Sequence, residues 1–333
     1  MVGRSGLASV RDDILERCSL RLSLLLLLFA SPVAAQAAGA SALAERFTLM
    51  TAVTGFEQAA LDSVQRLIPD ARRDRAGNVV IDRGSGPATL IVCPFDEVGY
   101  VVGGIREDGW LTLRRVGARA PNALFDQYHE GQRVTVWGRR GALAAVVGVR
   151  STHLTRGRSM GDAPFTVDDA YVDIGASTSA EVHSSGVELL APVGARKQVI
   201  RYGTDLLAGP SAGRRSACGA LVAAAVHGFT AAPGRIVVAL VVEQEQGQRG
   251  LRTVMNLAGP FTRTIIVDGA AGTAGAVAER SDSTLTRLFP KLGTVSRLSL
   301  PSRHTGTPVE TVSLADVEAL RGQITRVIAG GGR

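Results

Sequence analysis

The spacing of apolar residues predicts one helix near the start of the chain and another at its end. Apolar positions recur at helical spacing over residues 56–68, and this run stops before Pro69. Near the carboxyl end, Ser313 is placed to cap a helix, with Asp316 at the third helical position. The apolar stripe of this helix consists of Leu314, Val317, Leu320, Ile324 and Ile328.

Short apolar runs bounded by glycine and proline predict strands between these two helices. The predicted strands lie at 78–81, 89–93, 235–243 and 264–268. Two further helical patterns, at 217–229 and 281–289, alternate with them. An alternation of strands and helices is typical of an α/β fold.

Residues 102–192 have a different pattern. Short strands are joined there by turns rich in glycine and aspartate, and no helix is predicted. The strands are expected at 110–113, 133–137, 142–149 and 170–174. We therefore expect a small β-barrel inserted into the α/β alternation.

The first 37 residues have the three-part pattern of a secretory signal peptide. Arginines precede a leucine-rich run at 22–30, and small residues follow, so cleavage is expected after Ala35 or Ala37. This run is shorter than the ~20 residues that span a bilayer, so no membrane anchor is expected after cleavage. The sequence therefore predicts a periplasmic or secreted protein.

Three cysteines are present, and Cys18 would leave with the signal peptide. Cys93 and Cys218 lie in apolar surroundings. They are expected to be buried free thiols, without a disulfide or a cysteine-based metal site.

The charge of the chain narrows the classes of partner. Lysine and arginine number 37 against 30 acidic residues, a net charge of +7, but only Lys197 and Lys291 are lysines. Nucleic-acid binders usually cluster their basic residues and intersperse them with aromatic side chains. Here the arginines are scattered along the chain. We therefore expect no nucleic-acid partner.

Carboxylates follow three of the predicted strands. Asp96 and Glu97 come after the strand at 89–93, and Glu243 and Glu245 come at and just after the end of the strand at 235–243. Asp268 ends the strand at 264–268. Since ligand sites of open α/β sheets lie at the carboxyl ends of the strands, these residues are the first candidates for a site.

Six motifs occur in the order and approximate spacing found in one family of peptidases. They are Thr-Gly-Phe-Glu at 54–57, Asp-Arg-Ala-Gly-Asn at 74–78, Phe-Asp-Glu-Val-Gly at 95–99, Asp-Ile-Gly-Ala at 173–176, Gln-Gly-Gln-Arg-Gly at 246–250 and Thr-Pro-Val-Glu at 307–310. Over about residues 45–328 the chain resembles the co-catalytic metallo-aminopeptidases, which include the glutamyl, deblocking and tetrahedral (TET) aminopeptidases.

This resemblance implies a division of the chain. An α/β peptidase-like domain with a mostly parallel central sheet flanked by helices would span 40–101 and 193–333. A small β-barrel domain of the dimerisation type would be inserted at 102–192. We therefore expect a homo-oligomer that is at least a dimer.

The resemblance also implies a dinuclear metal centre that this chain cannot rebuild. The family's five metal ligands fall on Pro94, Gly213, Glu245, Asp268 and Gly306. Only Glu245 and Asp268 can bind a metal, whereas even a single catalytic zinc normally takes three protein ligands. The general-base position is Gln244, an amide that cannot accept a proton, and Asp96 keeps the position of the residue that orients the first ligand.

Three functional hypotheses follow. The first is an exported aminopeptidase homologue that is a catalytically inactive pseudoenzyme with no cofactor. The second is an active aminopeptidase with a rebuilt mononuclear zinc or cobalt site of Glu245, Asp268 and His304. The third is a protein that binds a peptide without cleaving it.

An arginine is expected to replace the missing metal ions. Buried carboxylates without cations must be protonated, hydrated or paired. Arg214 and Arg215 stand where the family has an Asp-Asp-Arg turn. One of them is therefore predicted to form a salt bridge with Asp96, Glu245 or Asp268.

Overall fold

The computed structural model describes residues 39–68, 70–117, 122–149, 164–228 and 234–330. The predicted signal peptide and Cys18 lie outside these residues. Two helices, α1 (Ala40–Thr48) and α2 (Gln58–Gln65), open the described part of the chain. None of the described helices combines the length and the apolar character needed to cross a membrane.

A seven-stranded sheet forms the centre of the α/β region. Its strands are β1 (Arg72–Arg73), β2 (Val79–Arg83), β3 (Ala88–Pro94), β12 (Arg235–Val241), β13 (Arg263–Ala271), β14 (Ala278–Ser281) and β15 (Thr294–Ser302). Their order is β1-β2-β12-β3-β13-β15-β14. The four neighbouring strands β12, β3, β13 and β15 are parallel to one another. The predicted α/β class with a mostly parallel centre is therefore confirmed.

Helices cover both faces of this sheet. They are α4 (Ala212–Gly228), α5 (Arg249–Ala258), α6 (Ser283–Leu288) and α7 (Leu314–Ile328). Alternate residues of β3 belong to different cores: Ile91 packs with α1, α4 and α7, whereas Leu90 packs with α5 and α6. The predicted cap of α7 is confirmed, since the backbone N–H of Asp316 donates to the Ser313 hydroxyl at 3.3 Å.

Six strands form a closed β-barrel in the order β4-β5-β8-β7-β6-β9. They are β4 (Gly99–Ile105), β5 (Leu111–Val116), β6 (Arg133–Gly138), β7 (Gly141–Val147), β8 (Tyr171–Asp173) and β9 (Pro192–Ala195). The expectation that this block lacks helices is wrong. Helix α3 (Ser179–Ser185) lies between β8 and β9, capped by the Thr178 hydroxyl, and it carries a single buried residue, Val182. So short a helix gives no apolar periodicity to detect.

A small antiparallel sheet leads into α4. It consists of β10 (Ile200–Tyr202), β11 (Leu206–Ala208) and β16 (Thr311–Ser313), in the order β10-β11-β16. Three residues separate the end of β11 from the start of α4, and β16 runs directly into α7. This sheet therefore fixes the start of both helices.

The prediction of two free thiols is wrong. Cys93 and Cys218 form a disulfide bond, with Cα atoms 5.5 Å apart. Cys93 lies on β3 and Cys218 on α4, which packs against the face of the sheet that Cys93 shares. The two cysteines are 125 residues apart in sequence, so only the packing of α4 on β3 brings them together.

Candidate functional site

A cavity of about 250 Å³ lies at the carboxyl ends of β3 and β13 and beside the start of α4. The predicted site residues Asp96, Glu245 and Asp268 line it. Phe125 and His129, which follow the barrel strand β5, and Gly194 of β9 line it as well. The cavity therefore lies at the carboxyl ends of the sheet strands, where a site was expected, and residues of the barrel complete its wall.

The guanidinium of Arg214 occupies the space between the carboxylates. Its Nε and Nη2 atoms donate to the two oxygens of Asp268 at 3.0 and 3.2 Å, and its Nη1 donates to Glu245 Oε1 at 2.9 Å. Nη1 also donates to the carbonyl oxygen of Asp96 at 2.8 Å. These four residues are called the Arg214 cluster below. The prediction that an arginine pairs with these carboxylates is confirmed.

Asp96 is the most deeply buried member of the Arg214 cluster, with no exposed surface. Its Oδ2 accepts the backbone N–H of Glu245 at 3.0 Å, whereas its Oδ1 lies 4.0 Å from Arg214 Nη1 and has no hydrogen-bond partner among the described residues. Burial disfavours a charged guanidinium, but the charges of Asp268, Asp96 and Glu245 raise the pKa of Arg214 above its ordinary value.

The structure shows what surrounds Pro94, Gly213 and Gly306, the three positions at which the resemblance implies a missing ligand. Pro94 ends β3 opposite Val241. The N–H groups of Gly213 and Gly306 donate to the two oxygens of Glu310, at 2.9 and 3.1 Å. A Cβ added at Gly213 would lie 2.3 Å from Glu310 Oε1, so this position has no room for a side chain unless Glu310 moves. Burial raises the pKa of Glu310.

Two other predicted positions are outside the cavity. Gln244 is half-buried and does not line the cavity, although Glu245 beside it does. His304 is exposed, with a positive φ of 54°, and is also absent from the lining. The rebuilt ligand set of Glu245, Asp268 and His304 is therefore not assembled in this structure.

The side chains present do not fit the metal centre of the family. In the part of the chain that the structure describes, no three His, Cys, Asp or Glu side chains are grouped to hold a metal ion. Glu245 and both oxygens of Asp268 already accept hydrogen bonds from the permanently charged Arg214. A cation bound there would compete with this guanidinium for the same carboxylate oxygens.

A second group of charges lies against the first and is called the Glu97 cluster. Glu97 Oε2 accepts hydrogen bonds from Lys197 Nζ and, at 2.9 Å, from the Ser211 hydroxyl, while Oε1 lies 3.3 Å from Arg215 Nη2. The guanidinium of Arg215 is fully buried and lies over the Phe95 ring, 4.4 Å from its centre. Burial alone would raise the pKa of Glu97, but Lys197 and Arg215 lower it to about 2.

Glu57 is a further buried carboxyl group near the site. Its Oε1 accepts the backbone N–H groups of Gly55 and Glu243 at 3.0 and 2.9 Å. Burial, with a smaller contribution from the charge of Asp96, raises the pKa of Glu57 to about 7. Glu57 lies in the Thr-Gly-Phe-Glu motif, so this motif holds the backbone at Glu243, two residues before Glu245.

Sequence reasoning missed Ser211 and Lys197, which both line the cavity. The signal for Ser211 was present, because residues 209–213 read Gly-Pro-Ser-Ala-Gly, a Gly-x-Ser-x-Gly run between a strand and a helix. Lys197 carried no signal, since an isolated lysine in a loop is usually solvated. Only the fold shows that its ammonium group is buried beside Glu97, with 8% of its side chain exposed.

Comparisons with known proteins agree with the resemblance seen in the motifs. The model of the M42 glutamyl aminopeptidase family matches residues 77–286, more than half of the chain. SgcX of Escherichia coli K12 is 29% identical over 219 residues, which are 63% of this chain and 57% of SgcX. The lysyl aminopeptidase of Pyrococcus furiosus is 26% identical over 159 residues, 46% of this chain and 44% of that protein. The matches thus span less than two thirds of these relatives.

Solved structures are similar over most of their length. The TET1 peptidase of Pyrococcus horikoshii, described as assembling into a tetrahedron or a large octahedral shell, has a TM-score of 0.75 at 22% identity, covering 87% of this chain and 99% of that one. A TET aminopeptidase from a marine-sediment thaumarchaeon has a TM-score of 0.74 at 18% identity, covering 87% and 96%. At these identities the likeness supports the fold.

Proposed function

Because this chain belongs to the M42 glutamyl aminopeptidase family, we propose that it is an exported member that no longer cleaves peptides. The observation that carries this proposal is the position of Arg214, whose guanidinium binds Asp268 and Glu245, the two remaining metal ligands. In the family, the reaction requires metal ions that polarise the substrate and activate water. Here a fixed organic cation neutralises the same carboxylates and activates no water.

The other site positions support the same conclusion. Gln244 stands at the position of the general base and cannot accept a proton. Losing a general base alone costs a factor of about 10² to 10⁴ in rate. Gly213 has no side chain that could bridge two metal ions, and the carboxylate of Glu310 lies too close to leave room for a Cβ atom there.

Metal analysis and an activity assay test this proposal together. Purified wild-type protein is expected to contain no stoichiometric zinc or cobalt and to leave aminoacyl anilides uncleaved, with or without added metal. Two equivalents of bound metal would contradict the proposal. So would cleavage that a chelator and Glu245→Ala both abolish.

Arg214→Ala tests whether the guanidinium stands in for a metal ion. Its removal leaves Asp96, Glu245 and Asp268 facing each other, so we expect a lower melting temperature that millimolar Mg²⁺, Mn²⁺ or Zn²⁺ raises again. Wild-type protein should show no such rise. Arg249→Ala is the matched control, because Arg249 pairs with Glu243 in an exposed position. A melting temperature of Arg214→Ala that no divalent cation raises would contradict the substitution of metal by arginine.

We further propose that the protein forms at least a dimer through the barrel. Two observations support this: the chain keeps a complete closed barrel, and Leu189, Leu190 and Val149 near its rim are 60%, 64% and 66% exposed. Light scattering at micromolar concentration should give at least twice the mass of the mature chain. A monomer mass would contradict this part of the proposal.

Export is proposed from the amino-terminal pattern and is supported by the Cys93–Cys218 disulfide. Disulfides persist in oxidising compartments and are rare in the cytosol. Amino-terminal sequencing of the protein from cell fractions is expected to begin after Ala35 or Ala37, outside the cytosol. A full-length protein in the cytosol would contradict export.

Binding of a peptide without cleavage is a second candidate function, favoured by the cavity itself. Its lining includes five acidic residues, Asp96, Glu97, Glu245, Asp268 and Glu310, against the two cations Lys197 and Arg214 and the buried His129. Such a lining suits the protonated amino group of a peptide. Calorimetry should therefore detect a tripeptide but not its N-acetylated form, and equal heats from both would contradict this candidate.

A further inference from the structure

The backbone around Ser211 has the form of a nucleophile-bearing turn. Strand β11 ends at Ala208, Ser211 follows, and α4 begins at Ala212, so the serine stands on a sharp strand-to-helix turn. Ser211 has a φ of +61°, a conformation that costs a non-glycine residue of order 1 kcal/mol or more. Backbone strain of this kind persists only where surrounding contacts impose it.

Close packing on both sides imposes this turn. A Cβ at Gly209 would lie 2.6 Å from the Gln198 carbonyl oxygen, and one at Gly213 would lie 2.3 Å from Glu310. Glycine is therefore required at both ends of the Gly-Pro-Ser-Ala-Gly run. The N–H of Gly209 donates to the Glu310 carbonyl, and the N–H of Arg215 donates to the carbonyl of Ser211. The turn is held at its start and at its end.

The Ser211 hydroxyl faces the cavity and is bonded to a carboxylate. Its Oγ donates to Glu97 Oε2 at 2.9 Å, and the ammonium group of Lys197 donates to the same oxygen. Lys197 donates a second hydrogen bond to the Pro210 carbonyl oxygen at 3.4 Å. The third proton of this ammonium group has no acceptor among the described residues. A nucleophile, a proton acceptor and a fixed cation therefore meet at one wall of the cavity.

We propose that Ser211 is the nucleophile of a metal-independent acyl-transfer site that acts on esters with a small acyl group, with Glu97 as proton acceptor and Lys197 as the cation that binds the oxyanion. This activity goes beyond the proposed function, because it uses neither the metal-ligand positions nor Gln244. A failure of one proposal leaves the other standing.

The step conserves atoms and charge. Ser211 Oγ forms a bond to the ester carbonyl carbon, its proton passes to Glu97 Oε2, and the carbonyl oxygen becomes an oxyanion beside Lys197. Collapse of this intermediate breaks the bond to the leaving alkoxide, which takes the proton from Glu97 and departs as an alcohol. Water then attacks acyl-Ser211 with Glu97 again accepting the proton, which releases the acid and restores the hydroxyl.

The charges around Glu97 limit the rate. Lys197 and Arg215 keep the pKa of Glu97 near 2, so the carboxylate is ionised at neutral pH but is a weak base. We therefore expect slow reaction that favours activated acyl groups such as aryl esters. The cavity of about 250 Å³, with Phe125 and Pro308 in its walls, accommodates a short acyl chain.

A fluorophosphonate, which phosphonylates activated serines, is the probe that tests this proposal. Wild-type protein should gain the mass of one adduct, and peptide mapping should place it on Ser211. Ser313 is an internal control in the same digest, because its hydroxyl also donates to a carboxylate, Asp205, at 2.6 Å, outside the cavity. No adduct on Ser211, or equal labelling of Ser211 and Ser313, would overturn the proposal.

Two variants separate reactivity from folding. Ser211→Gly removes the hydroxyl and relieves the positive φ, so it should melt near the wild-type temperature and lose the adduct. Glu97→Gln should slow labelling about 100-fold if the carboxylate accepts the proton. An unchanged labelling rate in a folded Glu97→Gln protein would overturn the role of Glu97. If that variant does not fold, the peptide map of wild-type protein decides the assignment.

Slow hydrolysis of p-nitrophenyl acetate provides the second readout. A burst of one p-nitrophenol per chain is expected, unaffected by a chelator and absent in Ser211→Gly. A burst that a chelator abolishes would assign the activity to a metal ion and overturn the proposal.

Discussion

Arg214 and Arg215 are consecutive residues of one helix, yet they enter two clusters with opposite charge balance. In the Arg214 cluster one guanidinium faces three carboxylates, and 22% of the arginine side chain is exposed to the cavity. In the Glu97 cluster two cations face one carboxylate, and none of the three side chains is more than 9% exposed. Successive helical residues point about 100° apart, so adjacent positions can serve both clusters.

The two clusters differ in which groups are available for chemistry. In the Arg214 cluster the arginine occupies the space between the carboxylates, bonds both oxygens of Asp268 and one of Glu245, and has no proton to lose. The Glu97 cluster has an excess of cations and presents Ser211 and Lys197 to the cavity. Under our two proposals, the cavity wall at the family's metal-ligand positions is inert, and the neighbouring wall has the reactive groups.

The largest expected loss of stability comes from removing the disulfide that links the two elements carrying both clusters. The disulfide joins β3 to α4 one turn after Arg214 and closes a loop of 125 residues. In the chain-entropy model such a bond stabilises the fold by about 5 kcal/mol. Cys93→Ala with Cys218→Ala should show this loss in denaturant unfolding, and a reductant should affect only the wild type. Two free thiols in the unfolded, unreduced wild-type protein would contradict the bond.

Glu97→Ala should destabilise the fold by about 3–5 kcal/mol, because it removes the carboxylate that neutralises the buried cations of Lys197 and Arg215. The pH dependence has a defined sign. The pKa of Glu97 falls from 4.5 to about 2 on folding, so its contribution is complete above pH 4.5 and is lost as the pH falls towards 2. The difference between wild type and variant should therefore shrink below pH 4.5, and a constant difference would contradict this account.

Glu57→Gln should stabilise the fold at neutral pH, whereas Glu97→Ala destabilises it. The pKa of Glu57 rises from 4.5 to about 7 on folding, so the ionised carboxylate destabilises the fold progressively as the pH rises through this window. At about 1.4 kcal/mol per pKa unit, the variant should be more stable by about 3 kcal/mol above pH 7 and equal to wild type below pH 4.5. Thermal melts at pH 4 and pH 8 check this, and a variant that is less stable at pH 8 would contradict it.

The smallest effect is expected outside both clusters. Arg249→Ala removes an ion pair with Glu243 in which 67% of the arginine side chain is exposed. Exposed pairs contribute about 0–1 kcal/mol. A loss as large as that of Glu97→Ala would mean that burial does not distinguish these clusters from the surface.

Much of the fold and part of the site could be predicted from the sequence. The apolar periodicity indicated the α/β alternation and the capped α7, and the change of pattern after residue 102 indicated the barrel. Carboxylates at strand ends, together with an arginine in place of an aspartate, indicated the pairing of Arg214 with Asp268 and Glu245. These features depend on local pattern or on a motif, which a sequence displays directly.

Features that join distant segments could not be predicted in this way. The Cys93–Cys218 bond and the Glu97–Lys197 pair each join residues at least 100 positions apart. His304 stood two residues from a ligand position, but the turn that carries it leaves it exposed. Sequence spacing fixes which residues share a strand or helix, not which faces of separate elements meet.

Local patterns in the sequence were enough to predict the order of elements and the barrel within the α/β alternation, and the resemblance implied missing ligands at Pro94, Gly213 and Gly306. Only the folded chain shows that Arg214 and Arg215 diverge into two clusters and that Ser211 faces the cavity beside Lys197. This is because residue identity sets which charges must be neutralised. Only the packing of α4 against β3 and the barrel determines which partners are close enough to neutralise them.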